Sequence, residues 1–368
     1  MRKSESGVCA AGRAVRFALL LLLALSSLGA WAEAGEYGRV VPGRSFAWPR
    51  DHGAHPAYRT EWWYATGWLK TADGRDLGFQ VTFFRVRTRA AEDNPSRFAP
   101  RQILFAHAAV ADPQHGSLRH AERSARAGFD LAGAKDSGAD VWIDDWSFRQ
   151  VGQEYRARIP AGDFTLELTL APTQPVLLQG QGGFMQKAPD PRKASYYYSE
   201  PHLRVTGSVE REGRREMVTG SAWLDHEWFS EKLPDEAVGW DWTGLNLADG
   251  SALMASRMRD AKGRTIWASG TLRRKDGGVV RLGPQEVAFE PLRQWRSPRT
   301  GISFPVAMAV RAGPVSLRLE PLFDDQEMDA RRSAGAIYWE GAVRAMQEGR
   351  ELGRGYLELT GYDKKLAM

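Results

Sequence analysis

Apolar and polar residues alternate through most of the chain. Phe164, Leu166, Leu168 and Leu170 fall on one side of an extended segment, while Thr165, Glu167 and Thr169 fall on the other. Leu77, Phe79, Val81 and Phe83 repeat the pattern against Gly78, Gln80 and Thr82, and Tyr155, Ala157, Ile159 and Val315, Leu317, Leu319 do so more briefly. A period of two predicts half-buried antiparallel strands. Asp73-Gly74, Asp249-Gly250 and Asp276-Gly277 lie between such runs and predict hairpin turns, where glycine supplies the positive φ. The predicted fold class is therefore all-β, with 38 glycines and 19 prolines feeding many short turns. Helix is expected only in two surface connections, residues 118–127 and 325–333.

One stretch, residues 220–243, stands out because it sets four tryptophans among titratable groups. Asp225, His226 and Glu227 lie between Trp223 and Trp228, and Trp240, Asp241 and Trp242 follow a charged loop. In a strand, Trp223, Asp225 and Glu227 share one face, and His226 and Trp228 the other. A carboxyl or imidazole buried beside indole rings costs several kcal/mol, of order 2–7, unless it is hydrogen-bonded, so the cluster is either a satisfied structural network or a site. A weak repeat bears on architecture. Trp62-Trp63-Tyr64-Ala65-Thr66-Gly67 leads to Ala72-Asp73-Gly74, and Trp240-Asp241-Trp242-Thr243-Gly244 leads to Ala248-Asp249-Gly250. Two similar β-domains are expected, residues 33–229 and 230–368, dividing near the charged loop at 231–236.

Composition and charge narrow the setting. Arg2, Lys3, Arg13 and Arg16 precede an apolar run over residues 17–28, and Ala30-Trp31-Ala32 is a small-x-small cleavage site, so residues 1–32 read as a signal peptide cleaved after Ala32. The run is shorter than the about 20 residues a membrane helix needs. A periplasmic or secreted location is the expectation. Cleavage would leave 336 residues, enough for about two domains, and would remove Cys9, the one cysteine, and with it any disulfide or thiol chemistry. It would also lower the formal net charge from +5 to +2, with basic residues scattered among acids, which gives no support for nucleic-acid binding.

Several ordered motifs carry a resemblance. His55-Pro56, Arg59-Thr60-Glu61-Trp62-Trp63-Tyr64, Phe105-Ala106-His107, Ser195-Tyr196-Tyr197-Tyr198-Ser199, Trp223-Leu224-Asp225-His226-Glu227-Trp228, Gly239-Trp240-Asp241-Trp242, Tyr338-Trp339-Glu340-Gly341 and Gly355-Tyr356-Leu357-Glu358-Leu359-Thr360-Gly361-Tyr362 resemble the AttH-like proteins related to hydroxyneurosporene synthase, the carotenoid 1,2-hydratase. The resemblance spans nearly all of the chain beyond residue 32. It implies two tandem lipocalin-like β-barrels, export, and a site for an extended hydrophobic molecule. It also implies that a hydratase would use a His-x-Trp, which His226-Glu227-Trp228 matches, and a Tyr-x-Asp on a nearby later strand. The segment Ala252–Arg259, where the latter should fall, contains neither tyrosine nor aspartate.

Two functions follow. The first is an exported binder of a lipid-like or isoprenoid ligand, with an envelope ABC-type transporter as its candidate partner. The second is a hydro-lyase that protonates a terminal alkene and lets water capture the cation, a chemistry needing a desolvated acid and electron-rich rings. Asp225 and His226 are the candidate catalytic residues. Trp223, Trp228, Trp240, Trp242, Trp62, Trp63 and Tyr64 are the candidate ligand wall, with Arg59 and Glu61 expected to form a partly buried ion pair that fixes the barrel entrance or closes its bottom. There is no Gly-x-Ser-x-Gly elbow and no zincin helix. His107, His115 and His120 are not assigned as ligands, and neither a metal nor another cofactor is expected.

Overall fold

The alternating segments become two antiparallel sheets, as the computed structural model shows for residues 36–90 and 92–366. The expected signal peptide, residues 1–32, and Cys9 lie outside these described residues. The first sheet is built from β1 (Thr60–Thr71), β2 (Asp76–Arg87), β3 (Gln102–Ala111), β4 (Leu118–Arg126), β5 (Ala132–Ala134), β6 (Asp140–Ile143), β7 (Trp146–Val151), β8 (Glu154–Pro160), β9 (Phe164–Ala171), β10 (Leu177–Leu178), β11 (Phe184–Gln186), β12 (Ala194–Arg211) and β13 (Arg214–Phe229). The second contains β14 (Gly239–Leu247), β15 (Ala252–Arg259), β16 (Thr265–Arg273), β17 (Val279–Leu282), β18 (Val287–Arg296), β19 (Ser303–Ala312), β20 (Val315–Pro321), β21 (Glu327–Ala330), β22 (Ala336–Gln347) and β23 (Arg350–Leu359).

Each sheet curls into a lipocalin-like barrel, and the two are wired alike. The strand order is 4-3-2-1-13-12-9-8-7-6-5 in the first, with β10 and β11 on β12, and 17-16-15-14-23-22-20-19-18 in the second, with β21 on β22. In both, the last strand returns to pair with the first: β13 with β1 and β23 with β14. The repeated tryptophan motif and its Asp-Gly turn are the opening hairpin of each sheet. Gly74 and Gly250 hold φ of 86° and 89° there, values that L side chains rarely adopt.

Three large apolar cores result, with two smaller clusters beside them. One fills the first barrel around Phe79, Phe83, Leu166 and Leu168, and one fills the second around Phe289, Phe304, Leu319 and Leu357. The third lies between the barrels and contains Tyr64, Trp68, Tyr197, Trp223, Trp242 and Tyr356. These outward-pointing residues of β1, β12 and β13 would face water in a lone barrel. Burial of their rings against the second barrel, at roughly 25 cal/mol per Å² of apolar surface, drives the association. Gly78 permits the approach, since a Cβ there would lie 2.6 Å from the Tyr356 hydroxyl and 2.8 Å from the Ala342 Cβ. Trp68 adds a hydrogen bond across the seam, its Nε1 donating to the Gly355 carbonyl at 3.0 Å.

Both expected helices are strands. Residues 118–126 form β4, the edge partner of β3, and residues 327–330 form β21 on β22. The arginines and glutamates of β4 read as a helix surface, yet its small residues keep a period of two. Ala121 and Ala125 pack on the first barrel's core, while His120 and Glu122 on the opposite face reach the segment around β21. In β21 the buried Met328 and Ala330 alternate in the same way.

Candidate functional site

Strand β13 carries different chemistry on its two faces. The inward face sends His226 and Trp228 into a sealed end of the first barrel, where His226, Trp228, Glu61 and Arg85 are each 0% exposed. Pairing of β1 with β2 sets Glu61 opposite Arg85, whose Nε donates to the carboxylate at 2.8 Å. Glu61 also accepts from the His55 backbone N–H at 2.8 Å and lies 2.7 Å from His55 Nδ1 and 2.9 Å from His226 Nε2. Burial alone would raise the Glu61 carboxyl, but Arg85 and the two imidazoles more than offset it and hold it well below the usual range. Trp63 stacks on His226 at 4.7 Å, and Trp228 lies flat on His55 at 3.7 Å.

His55, Glu61 and His226 bring ligand-type atoms within 4.8 Å of one another. Those atoms already bond to each other, and the Arg85 guanidinium adjoins the carboxylate. A divalent cation would sit against that fixed charge, so the group is read as a structural network. The expected Arg59–Glu61 pair is corrected by this geometry. Glu61 spends its charge on Arg85, across the hairpin, while Arg59 precedes β1 and lies on the wall of the cavity described next.

The other face of β13 opens on a cavity of about 320 Å³ between the barrels. From the first barrel it is lined by Trp62 and Tyr64 of β1, Phe84 of β2, His107 of β3, Tyr197 of β12, and Asp225 and Glu227 of β13. From the second come Trp240 and Trp242 of β14, Ser256 and Met258 of β15, Tyr338 and Glu340 of β22, and Glu358 of β23. Asp225 is the most heavily bonded of the cavity's acids. Ser199 Oγ and Trp223 Nε1 donate to Oδ1 at 2.5 and 2.6 Å, and the Tyr197 hydroxyl donates to Oδ2 at 2.6 Å while accepting from Trp242 Nε1 at 3.0 Å. Burial nonetheless dominates those donors and, with help from the Glu227 charge, pushes the carboxyl up to about 7.

Glu340 and Glu358 are direct cross-strand neighbours on β22 and β23. Two carboxyls so placed cannot both ionise cheaply. Burial and the Glu358 charge raise Glu340 well above the ordinary glutamate range, and burial brings Glu358 to about 7. The Tyr64 hydroxyl donates to Glu340. Glu227 differs in having a cation, Lys187, whose Nζ also lies 4.8 Å from the Phe229 ring centre and 5.3 Å from that of Trp62. His107 is buried against the Tyr338 hydroxyl at 2.6 Å and Ser333 Oγ at 2.8 Å, and desolvation lowers it to about 3, leaving a neutral imidazole.

Of the sequence-derived candidates, Asp225, Trp62, Tyr64, Trp240, Trp242 and Arg59 share the cavity wall. Trp223 stands behind it as a donor to Asp225. His226, Glu61, Trp63 and Trp228 lie on the far side of the sheet, so Asp225 and His226 do not act on one bound molecule. Sequence reasoning missed Glu340, Glu358, Tyr197, His107 and Lys187. A single acid inside an otherwise apolar strand, as in Tyr338-Trp339-Glu340-Gly341 and Tyr356-Leu357-Glu358-Leu359, was the signal available for the first two. Where the Tyr-x-Asp was expected on β15, Ser256 and Met258 meet the cavity instead.

Two lipocalin-like barrels enclosing an aromatic, acid-bearing cavity define a two-barrel lipocalin-like class. Within that class the chain belongs to the AttH-like family, whose model matches residues 39–362. It is similar to a solved AttH protein from Nitrosomonas europaea, with 51% identity, covering 88% of this chain and 99% of that one at a TM-score of 0.83. Kievitone hydratase from Nectria haematococca shares the fold at 13% identity, covering 90% of this chain and 97% of that one, TM-score 0.66. CghA with Sch210972 does so at 14% identity, covering 83% and 89%, TM-score 0.51. No curated protein sequence matches the chain.

Proposed function

We propose that the cavity binds a largely apolar, unsaturated molecule and that its buried carboxyls add water across a carbon–carbon double bond. The observation that carries this reading is the set of uncompensated acids, Asp225, Glu340 and Glu358, on an aromatic wall that keeps them protonated towards neutral pH. Asp225 is the better donor. It is neutral often enough to hold a proton, and once it gives that proton to the less substituted alkene carbon its anion already has three hydrogen-bond donors. The π electrons form the new C–H bond and leave a tertiary cation, which the faces of Trp240, Trp242 and Tyr64 stabilise. Water then forms the C–O bond, and its proton passes to the Glu340–Glu358 pair in its singly ionised state. The fold shared with kievitone hydratase supports the reading without carrying it.

Incubation with an acyclic isoprenoid bearing a terminal trisubstituted alkene in ¹⁸O-water tests the proposal. A labelled tertiary alcohol is expected, and Asp225→Asn should abolish it. Tight binding of the alkene with no conversion would defeat the hydro-lyase and support the second reading, a carrier for the same class of molecule. Ser256 and Met258, standing where hydratases are expected to carry a Tyr-x-Asp, favour that carrier. Export and delivery to an envelope transporter belong with it as proposals, motivated by the leader-like residues 1–32. N-terminal sequencing of a periplasmic fraction beginning at Glu33 would support export, and an intact Met1 in the cytosol would refute it.

A further inference from the structure

The charges on the cavity wall do not balance. Among the described residues, Asp225, Glu340 and Glu358 have no basic side chain within ion-pair distance; of the two cations on the wall, Lys187 is taken by Glu227 and Arg59 pairs with none of these three acids. Lys187 also shows what this wall does to a cation: its Nζ is held between a carboxylate and the rings of Phe229 and Trp62. The same combination, aromatic faces beside a carboxyl, recurs across the cavity without a cation in it. Tyr64 and Trp242 meet edge to face at 5.3 Å, with the Tyr64 hydroxyl on Glu340 and Glu358 beside that acid.

We propose that the cavity selects apolar ligands that carry, or develop during reaction, one positive charge, with the Glu340–Glu358 pair as its counter-anion. The inference rests on the reading of the cavity as an apolar ligand site and adds the ligand's charge to it. Empty, the pair keeps a proton because burial penalises its charge and two adjacent carboxylates repel. The titratable groups facing it are Tyr64, Asp225, Glu227, Lys187, Tyr338 and Tyr356, and of these only Lys187 is cationic. A bound cation removes the reason for retaining the proton, so the O–H bond breaks and the proton leaves to solvent while the ligand keeps its charge. Aromatic faces add the part of the attraction that water does not screen. A tertiary carbocation formed by alkene protonation meets the same surroundings, which makes a tertiary ammonium its stable mimic.

Three probes of one skeleton separate the possibilities: N,N-dimethylgeranylamine, geraniol and geranic acid, titrated calorimetrically into the full chain in two buffers of different ionisation enthalpy. The amine should bind at least roughly tenfold tighter than geraniol, and geranic acid more weakly than either. Amine binding should release roughly one proton, while geraniol releases none. The double variant Glu340→Gln, Glu358→Gln should lose the amine preference and the proton release, with a wild-type near-UV circular dichroism spectrum showing that it is folded. Equal affinity for amine and geraniol, or a preference that survives the double variant, would overturn the cation inference and leave the apolar site standing. Failure of all three probes to bind would overturn the site reading itself.

Discussion

Asp225→Asn separates charge from shape at the centre of the cavity. In the wild type, burial lifts this carboxyl from 3.8 to about 7 against the pull of Ser199, Tyr197 and Trp223. A folded-state value above the unfolded one means that the native state binds the proton more tightly. The stability contributed is therefore full below the unfolded value, declines as pH rises, and is exhausted once pH passes the folded value. Between those limits the change is on the order of 4 kcal/mol. Asparagine does not titrate, so the variant lacks this slope. It has a fixed cost, because Nδ2 in place of Oδ2 cannot accept from the Tyr197 hydroxyl, which must rotate to accept instead; about 1–2 kcal/mol is expected. At about 2–4 °C per kcal/mol for a barrel of this size, the variant should melt several degrees below wild type near pH 3, about level with it near pH 5, and above it by about pH 8. Other titrating groups are common to both proteins and cancel in the difference. Melting curves by near-UV circular dichroism over that range measure it. A difference that stays constant with pH would refute the claim that Asp225 is held protonated.

Glu61→Gln should cost about 3–5 kcal/mol by calorimetry, because it leaves Arg85 buried without its counter-charge; a loss below about 1 kcal/mol would contradict the network described. The Glu61 carboxyl is depressed in the folded state, so its contribution is present above the ordinary glutamate value of 4.5 and fades as pH falls below it, and the variant should lack that acid-side decline. His226→Gln should lower stability by about 1–3 kcal/mol while leaving ligand affinity unchanged, since the ring faces the barrel interior; a weakened ligand titration would place His226 in the site after all. Gly244→Ala would set a methyl 2.6 Å from Trp242 Cη2 and 3.0 Å from Trp223 Cδ2, pushing both rings; a stability loss of about 1–3 kcal/mol together with weaker apolar-ligand binding is expected, and wild-type affinity would argue against Trp242 as part of the wall.

Period-two alternation was enough to read β2, β8, β9 and β20, because a strand's two faces sort by solvent and the sorting is local. The opening hairpins were legible through their Asp-Gly turns for the same reason. What the chain did not announce were contacts between distant residues. Arg59 and Glu61 share a strand face in the sequence, but the register of β1 on β2 delivers Arg85, twenty-four positions away, to the same carboxylate. Strand β4 was mistaken for a helix because its charged residues serve two barrels at once, a demand no single segment reveals. Glu340 and Glu358 became a pair only when β22 met β23.

The strongest reason to place function on the outward face of β13 is the contrast between its two carboxylate environments. Glu61 and Asp225 are both buried, at 0% and 3% exposure, and both accept several hydrogen bonds. Desolvation pushes each upward, yet Glu61 ends well below the carboxylate range and Asp225 near 7. The decisive difference is the Arg85 guanidinium, because hydrogen-bond donors alone do not offset the burial of a charge. A fold that needed Asp225 only for structure could have matched it with a cation, as the opposite face does for Glu61. Leaving Asp225, Glu340 and Glu358 without one costs stability above their titration range. That cost is understandable where the acids need to give up protons, or where a positive charge arrives from outside to take the place of the missing side chain.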